Sequence, residues 1–117
     1  MKFLLVNYMN PKIWNGLSEH EQQEVIDGHG DFQKTITESG EFIGALAVAD
    51  PSQSAVVRVR AGDTTTTEGP HTQSEEFFAG YYLIEAESRD RALEIAAQVP
   101  DASINVIEVR PVIYLAS

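Results

Sequence analysis

The most constraining feature of this chain is its first strand, in which Phe3, Leu4, Leu5 and Val6 follow one another without a polar residue. Successive side chains in a strand point to opposite faces, so the run predicts a strand covered on both sides. With 117 residues there is room for one domain, residues 1–117, and one core. The chain's own helices can cover one face of such a sheet. The other face calls for a second molecule, and a two-fold-related copy is the simplest. The expected assembly is a homodimer through the open sheet face.

The remaining segments supply the rest of the layer. Asn10-Pro11 ends the first strand, because the residue before proline is driven out of helical geometry. Ser18-Glu19-His20-Glu21 reads as a capping box, and acids at 19, 21 and 24 suit the positive end of the helix it starts. The stripe of that helix is Val25, Phe32 and Ile36, with His29 on the same face. Gly28 and Gly30 each weaken it by about 1 kcal/mol relative to alanine, and Gly40 suits its end. A second strand is expected over residues 42–49 and a third over 55–60. A turn at Ala61-Gly62-Asp63 leads from the third strand into Thr64–Thr67, making a hairpin of β-branched residues. A fourth strand is expected over 80–86. Ser88 then caps a second helix with stripe Ala92, Ile95, Ala96 and Val99, stopped by Pro100. The last strand is expected over about 105–115, with Ile107, Val109 and Ile113 on one face.

The order is β-α-β, an inserted hairpin, then β-α-β. Right-handed crossovers turn that order into an α+β, ferredoxin-like antiparallel sheet with two helices on one face, of the dimeric α+β barrel type.

Composition removes several kinds of function. There are no cysteines, which excludes disulfides, thiolate zinc sites and cysteine nucleophiles. Eight basic against 18 acidic residues give a formal charge of −10, which repels a phosphate backbone, so no nucleic-acid partner is expected. No apolar stretch approaches the ~20 residues of a membrane span. The apolar run at the N-terminus is too short for a secretory signal, so no membrane association and a cytoplasmic location are expected.

Several segments together resemble a known family. Glu68-Gly69-Pro70-His71, Ala79-Gly80-Tyr81-Tyr82-Leu83-Ile84 and Glu108-Val109-Arg110-Pro111-Val112 are similar to the YCII-related domain family, and within it to the DGPF branch. Met1–Val6 and Val57-Arg58-Val59-Arg60 fit the same pattern. The resemblance runs through nearly the whole chain. It implies a small dimeric α+β domain of ferredoxin-like fold, in a family mostly without an assigned reaction. Where the branch has Asp-Gly-Pro-Phe, this chain has Glu68-Gly69-Pro70-His71, with the carboxylate on a longer stem and an imidazole in place of the aromatic ring. Members lacking the motif often carry a histidine in the first helix that pairs with an acid, and His29 resembles it by position.

Two classes of function follow. In the first, the chain is a dimeric module that binds a small molecule or serves as an accessory, with no cofactor. In the second, it is an acid/base enzyme acting on a neutral or cationic organic molecule, with His29 moving a proton and Glu68 orienting it. Each residue also has a structural reading. His29 could be a core imidazole satisfied by hydrogen bonds, Glu68 a turn acid, and His71 a solvent-exposed loop residue. Gly69 and Pro70 shape the loop that would carry the site. Tyr8, Trp14 and Tyr82 could wall a pocket or pack in the core or dimer interface. Arg110 could clamp a carboxylate or pair with Glu108. Histidines 20, 29 and 71 share no metal-ligand spacing, so no metal is expected.

Overall fold

The computed structural model describes residues 1–117. Strand β1 (Lys2–Met9) leads into a short helix α1 (Pro11–Gly16). The expected break at Asn10-Pro11 is therefore also a helix start. The Asn10 side chain accepts the Lys12 amide at 3.1 Å, and Pro11 occupies the first turn, where no N–H is needed. Helix α2 (Glu19–Glu38) opens on the expected capping box: Ser18 Oγ accepts from Glu21 N at 3.1 Å, and Glu21 Oε1 accepts from Ser18 N at 2.9 Å. Strand β2 (Phe42–Ala47), strands β3 (Ala55–Arg60) and β4 (Asp63–Glu68), β5 (Phe77–Glu85), helix α3 (Arg89–Ala96) and β6 (Ile107–Pro111) complete the order.

Four strands form one antiparallel sheet in the order β2-β5-β1-β6. Two β-α-β units interleaved in this way make the ferredoxin-like arrangement. Residues opposite one another in a ladder share a face, so the register assigns the faces. Leu5 lies opposite Tyr82 and Val109, and Phe3 opposite Ile84. These side chains meet Phe32 and Ile36 of α2 and Ala92, Ile95 and Ala96 of α3 in one buried cluster. Val99, the last residue of the expected second-helix stripe, is buried there too.

Arg91 fastens α3 to the start of β2. Its Nε donates to Glu41 Oε2 at 2.9 Å and its Nη2 to Glu41 Oε1 at 2.8 Å. This two-pronged contact, with some help from Ser39, holds the Glu41 carboxyl below its ordinary range despite a cost of desolvation.

The opposite face of the sheet carries Leu4 and Val6 from β1, Tyr81 and Leu83 from β5, and Leu46 from β2. Val6, flanked by Tyr81 and Glu108, is already buried, whereas Leu46 and Phe78 stay substantially exposed.

One expectation needs correction. The last strand ends at Pro111, and Ile113 is fully exposed instead of sharing the core face of Ile107 and Val109. Its place in the alternation came from extending the pattern past a proline, which contributes no N–H to a ladder. The hairpin does form, through positive φ at Ala61 (50°) and Gly62 (82°). As an insertion it stands apart from the four-stranded sheet: β3 and β4 pair only with each other, with Val57 and Val59 exposed.

Candidate functional site

At one end of the sheet's inner face the large residues Phe3 and Ile84 fill the core. At the other end the same face carries the small residues Gly80, Ala45 and Ala47 beside Asn7. Strands β2 and β5 approach so closely there that a Cβ on Gly80 would strike the Leu46 carbonyl oxygen and come within 2.9 Å of the Ala47 Cα. Small side chains under the helices leave a cleft of about 420 Å³, which His29, Tyr82, Asp101 and Asn7 help to line. That volume suits a small organic molecule.

His29 comes from the middle of α2, one turn before Phe32. Asp101 comes from the 3₁₀ turn Pro100–Ser103 that follows α3. Gly28 brings them together, since a Cβ there would lie 2.8 Å from the Pro100 Cγ. This glycine weakens the helix locally but lets the turn dock against it.

The imidazole of His29 is held at both nitrogens. Its Nε2 lies 2.5 Å from Asp101 Oδ1, and its Nδ1 lies 2.6 Å from the Tyr82 hydroxyl. A carboxylate only accepts, so Nε2 carries a hydrogen toward Asp101. In the neutral ring Nδ1 is then an acceptor, and the Tyr82 hydroxyl donates to it. The Tyr82 ring stacks on His29 with centroids 5.9 Å apart and meets Phe32 edge-on at 4.9 Å. Burial, and secondarily the charge of Asp101, push the Tyr82 phenol up to about 12, so it keeps its proton at neutral pH. The side chains of His29 and Asp101 are 28% and 15% exposed, which leaves both in reach of a molecule in the cleft.

The expected partnership of His29 with Glu68 is not formed. Glu68 closes β4 opposite Ala55, exposed on the separate ribbon, and takes no part in lining the cleft. Its motif neighbours also lie elsewhere. Gly69, at φ 99°, donates its N–H to Ser54 O at 2.7 Å. Pro70 borders a separate groove of about 270 Å³ with Asp50 and Phe77, and His71 is exposed. Arg110 lies exposed, its Nε 3.8 Å from Glu108 Oε1. The Tyr8 hydroxyl reaches the same glutamate at 3.4 Å. Trp14 is half-buried on α1, where its carbonyl accepts from Gln22. Of the residues singled out in the sequence, the cleft contains His29 and Tyr82.

Asp101 and Asn7 were not foreseen. The one local signal for Asp101 was its place directly after the helix-stopping Pro100, and nothing in the sequence brings it near His29. No three His, Asp or Glu side chains converge as a metal site, and no helix is long and apolar enough to cross a membrane.

Comparison with known proteins bears on the whole chain. The model of the YCII-related domain family matches residues 1–116. An uncharacterized protein of Rhizobium meliloti (strain 1021) is 27% identical over 113 residues, covering 95% of this chain and 91% of that protein.

Proposed function

The chain belongs to the YCII-related domain family, and from that premise we propose that its cleft is an acid/base site acting on a small, uncharged or cationic organic molecule. One observation carries the reading: His29 is bridged between Asp101 and the Tyr82 hydroxyl at the wall of an open cleft. The two partners fix the tautomer of the ring and link it to a phenol that lines the cleft, which is the arrangement a proton relay requires.

The proton path follows from the hydrogen bonds. Both ring nitrogens are occupied, so a proton reaches the ring through the Tyr82 hydroxyl, which lines the cleft with it. A bound molecule gives its proton to Tyr82 Oη as the phenol's own proton passes to His29 Nδ1. The resulting imidazolium is stabilised by the Asp101 carboxylate, and the reverse transfer returns the proton. No phenolate forms at any stage, in keeping with the raised Tyr82 value.

Catalysed hydrogen–deuterium exchange tests the reading. A mixture of small ketones and amides in D₂O, followed by NMR, should show accelerated exchange at an acidic C–H with the wild-type protein. His29→Ala and Asp101→Asn should abolish it, while His20→Ala should not. No acceleration by the wild-type protein would leave a binding module without chemistry as the better reading.

A homodimer through the outer sheet face belongs to the same proposal. The radius of gyration is 16.5 Å, against ~13 Å for a compact chain of this length, and the molecule is only 19 Å deep along its shortest axis. A flat protomer with Leu46 and Phe78 exposed beside Tyr81 and Leu83 is suited to stacking against a second copy. Within the family, Glu68-Gly69-Pro70-His71 supports placement in the DGPF branch.

A further inference from the structure

Asn7 sits on the inner face of β1, following Phe3 and Leu5 on that face, opposite Gly80 on β5 and Ile107 on β6. Its Oδ1 is buried and has no hydrogen-bond partner, alone among the buried side-chain polar atoms of the chain. A buried acceptor left unmade costs roughly 1–3 kcal/mol, whereas an apolar side chain of similar shape carries no such penalty. Folding gives no reason for an amide here, since the two preceding residues on the same face are apolar core.

The position does supply a reason. Asn7 lines the same cleft as His29, Tyr82 and Asp101, and the residue opposite it, Gly80, has no side chain to fill the space. No lysine or arginine lines the cleft, so nothing there balances a carboxylate or phosphate on a ligand. Asp101 is already engaged by His29. The unfilled requirement is a hydrogen-bond donor arriving from outside.

We propose that Asn7 orients the ligand: its amide, which borders the cleft, turns about the Cβ–Cγ bond to bring Oδ1 out of its unpartnered buried position, accepts from an N–H or O–H of an uncharged, amide- or hydroxyl-bearing molecule and so holds that molecule against the Tyr82–His29 pair. This inference rests on the acid/base reading and deepens it by naming the ligand class.

A matched set of probes tests it. The probes are 2-piperidone, its N-methyl derivative that lacks the donor, and cyclopentanecarboxylate, an anion of similar size. Each is titrated to millimolar concentration against the full chain and followed by amide NMR at Asn7 and Gly80. The wild-type protein should bind 2-piperidone about fivefold more tightly than the N-methyl derivative, the ratio expected for one hydrogen bond, and the carboxylate least. Asn7→Leu should erase the preference and raise the melting temperature of the free protein, and Asn7→Ala should erase the preference as well. Equal affinities in the wild-type protein, a preference surviving both substitutions, tightest binding of the carboxylate, or no binding of 2-piperidone would each overturn the proposal. The ¹⁵N signals of His29, recorded on the same samples, separate the two layers. An intact Nε2–H ring with no donor preference removes the role of Asn7 alone, while loss of that ring state in the wild-type protein removes the acid/base reading itself.

Discussion

Gly28 packs directly against Pro100, and the residues that follow them, His29 and Asp101, make the hydrogen bond at the wall of the cleft. A helix of 20 residues and a turn beyond a second helix are thereby locked at the one point where an imidazole meets a carboxylate. Closeness of backbone, available only to glycine, is what sets the distance between the two groups.

Gly28→Ala should uncouple the site without unfolding the chain. Alanine favours the helix by about 1 kcal/mol, but its methyl would meet the proline ring at 2.8 Å, so the turn must retreat. Exchange activity should fall on the order of tenfold or more, as expected for a displacement of an ångström or less. A variant more stable than wild type with unchanged His29 signals would show that Gly28 has no positioning role.

Tyr82→Phe should change the alkaline limb of stability. The Tyr82 phenol is raised from 10.0 to about 12 in the folded protein. Its contribution is therefore fully present below pH 10.0 and lost as pH rises toward 12. Wild-type melting temperature should drop across that window, and the drop should be smaller in Tyr82→Phe. Parallel curves for the two proteins would show that Tyr82 is not so held.

Glu41→Gln should weaken the attachment of α3. Removing the charge from a two-pronged contact costs about 1–2 kcal/mol at this partly exposed site. The wild-type carboxyl lies below its ordinary range because of Arg91. The stabilisation it gives is present above the ordinary glutamate range and lost as pH falls through the lowered value. Denaturation curves should therefore converge for the two proteins in strong acid. A constant difference at all pH values would contradict this.

Light scattering should return twice the 12.9 kDa chain mass. Leu83→Asp, on the outer face, should shift it toward the single-chain value while leaving the helix signal intact. A wild-type protein at the single-chain mass at micromolar concentration would remove the dimer.

Much of this fold is legible because its determinants are local. The capping box at Ser18, the stripe from Ala92 to Val99 and the Ala61-Gly62 turn each act within a few residues, and each produces its element. Helix α1 was hidden because Asn10-Pro11 signals a strand break and a helix cap with the same residues. The site was half legible. His29 stands out as an imidazole on an apolar stripe, but its partner Asp101 lies 72 residues away and is supplied by tertiary docking alone. Glu68 drew attention through its Gly-Pro motif, yet the Thr64–Thr67 run that precedes it pairs only with β3, which carries that acid away from the sheet. In the sequence Asn7 is only the polar residue that follows the Phe3–Val6 run. Its significance comes from a missing hydrogen-bond partner, which a sequence does not display.

The state of the His29 ring decides whether Asp101 and Tyr82 act on it as a unit. Long-range ¹H–¹⁵N NMR of the free protein, at a pH above the ordinary histidine range, should show a single ring form with hydrogen on Nε2 and Nδ1 accepting. The same spectrum of Asp101→Asn should lose that uniformity. A wild-type ring with hydrogen on Nδ1, or an even mixture of the two forms, would mean that the hydrogen bonds to Asp101 and Tyr82 are not made and that no proton path runs through the cleft.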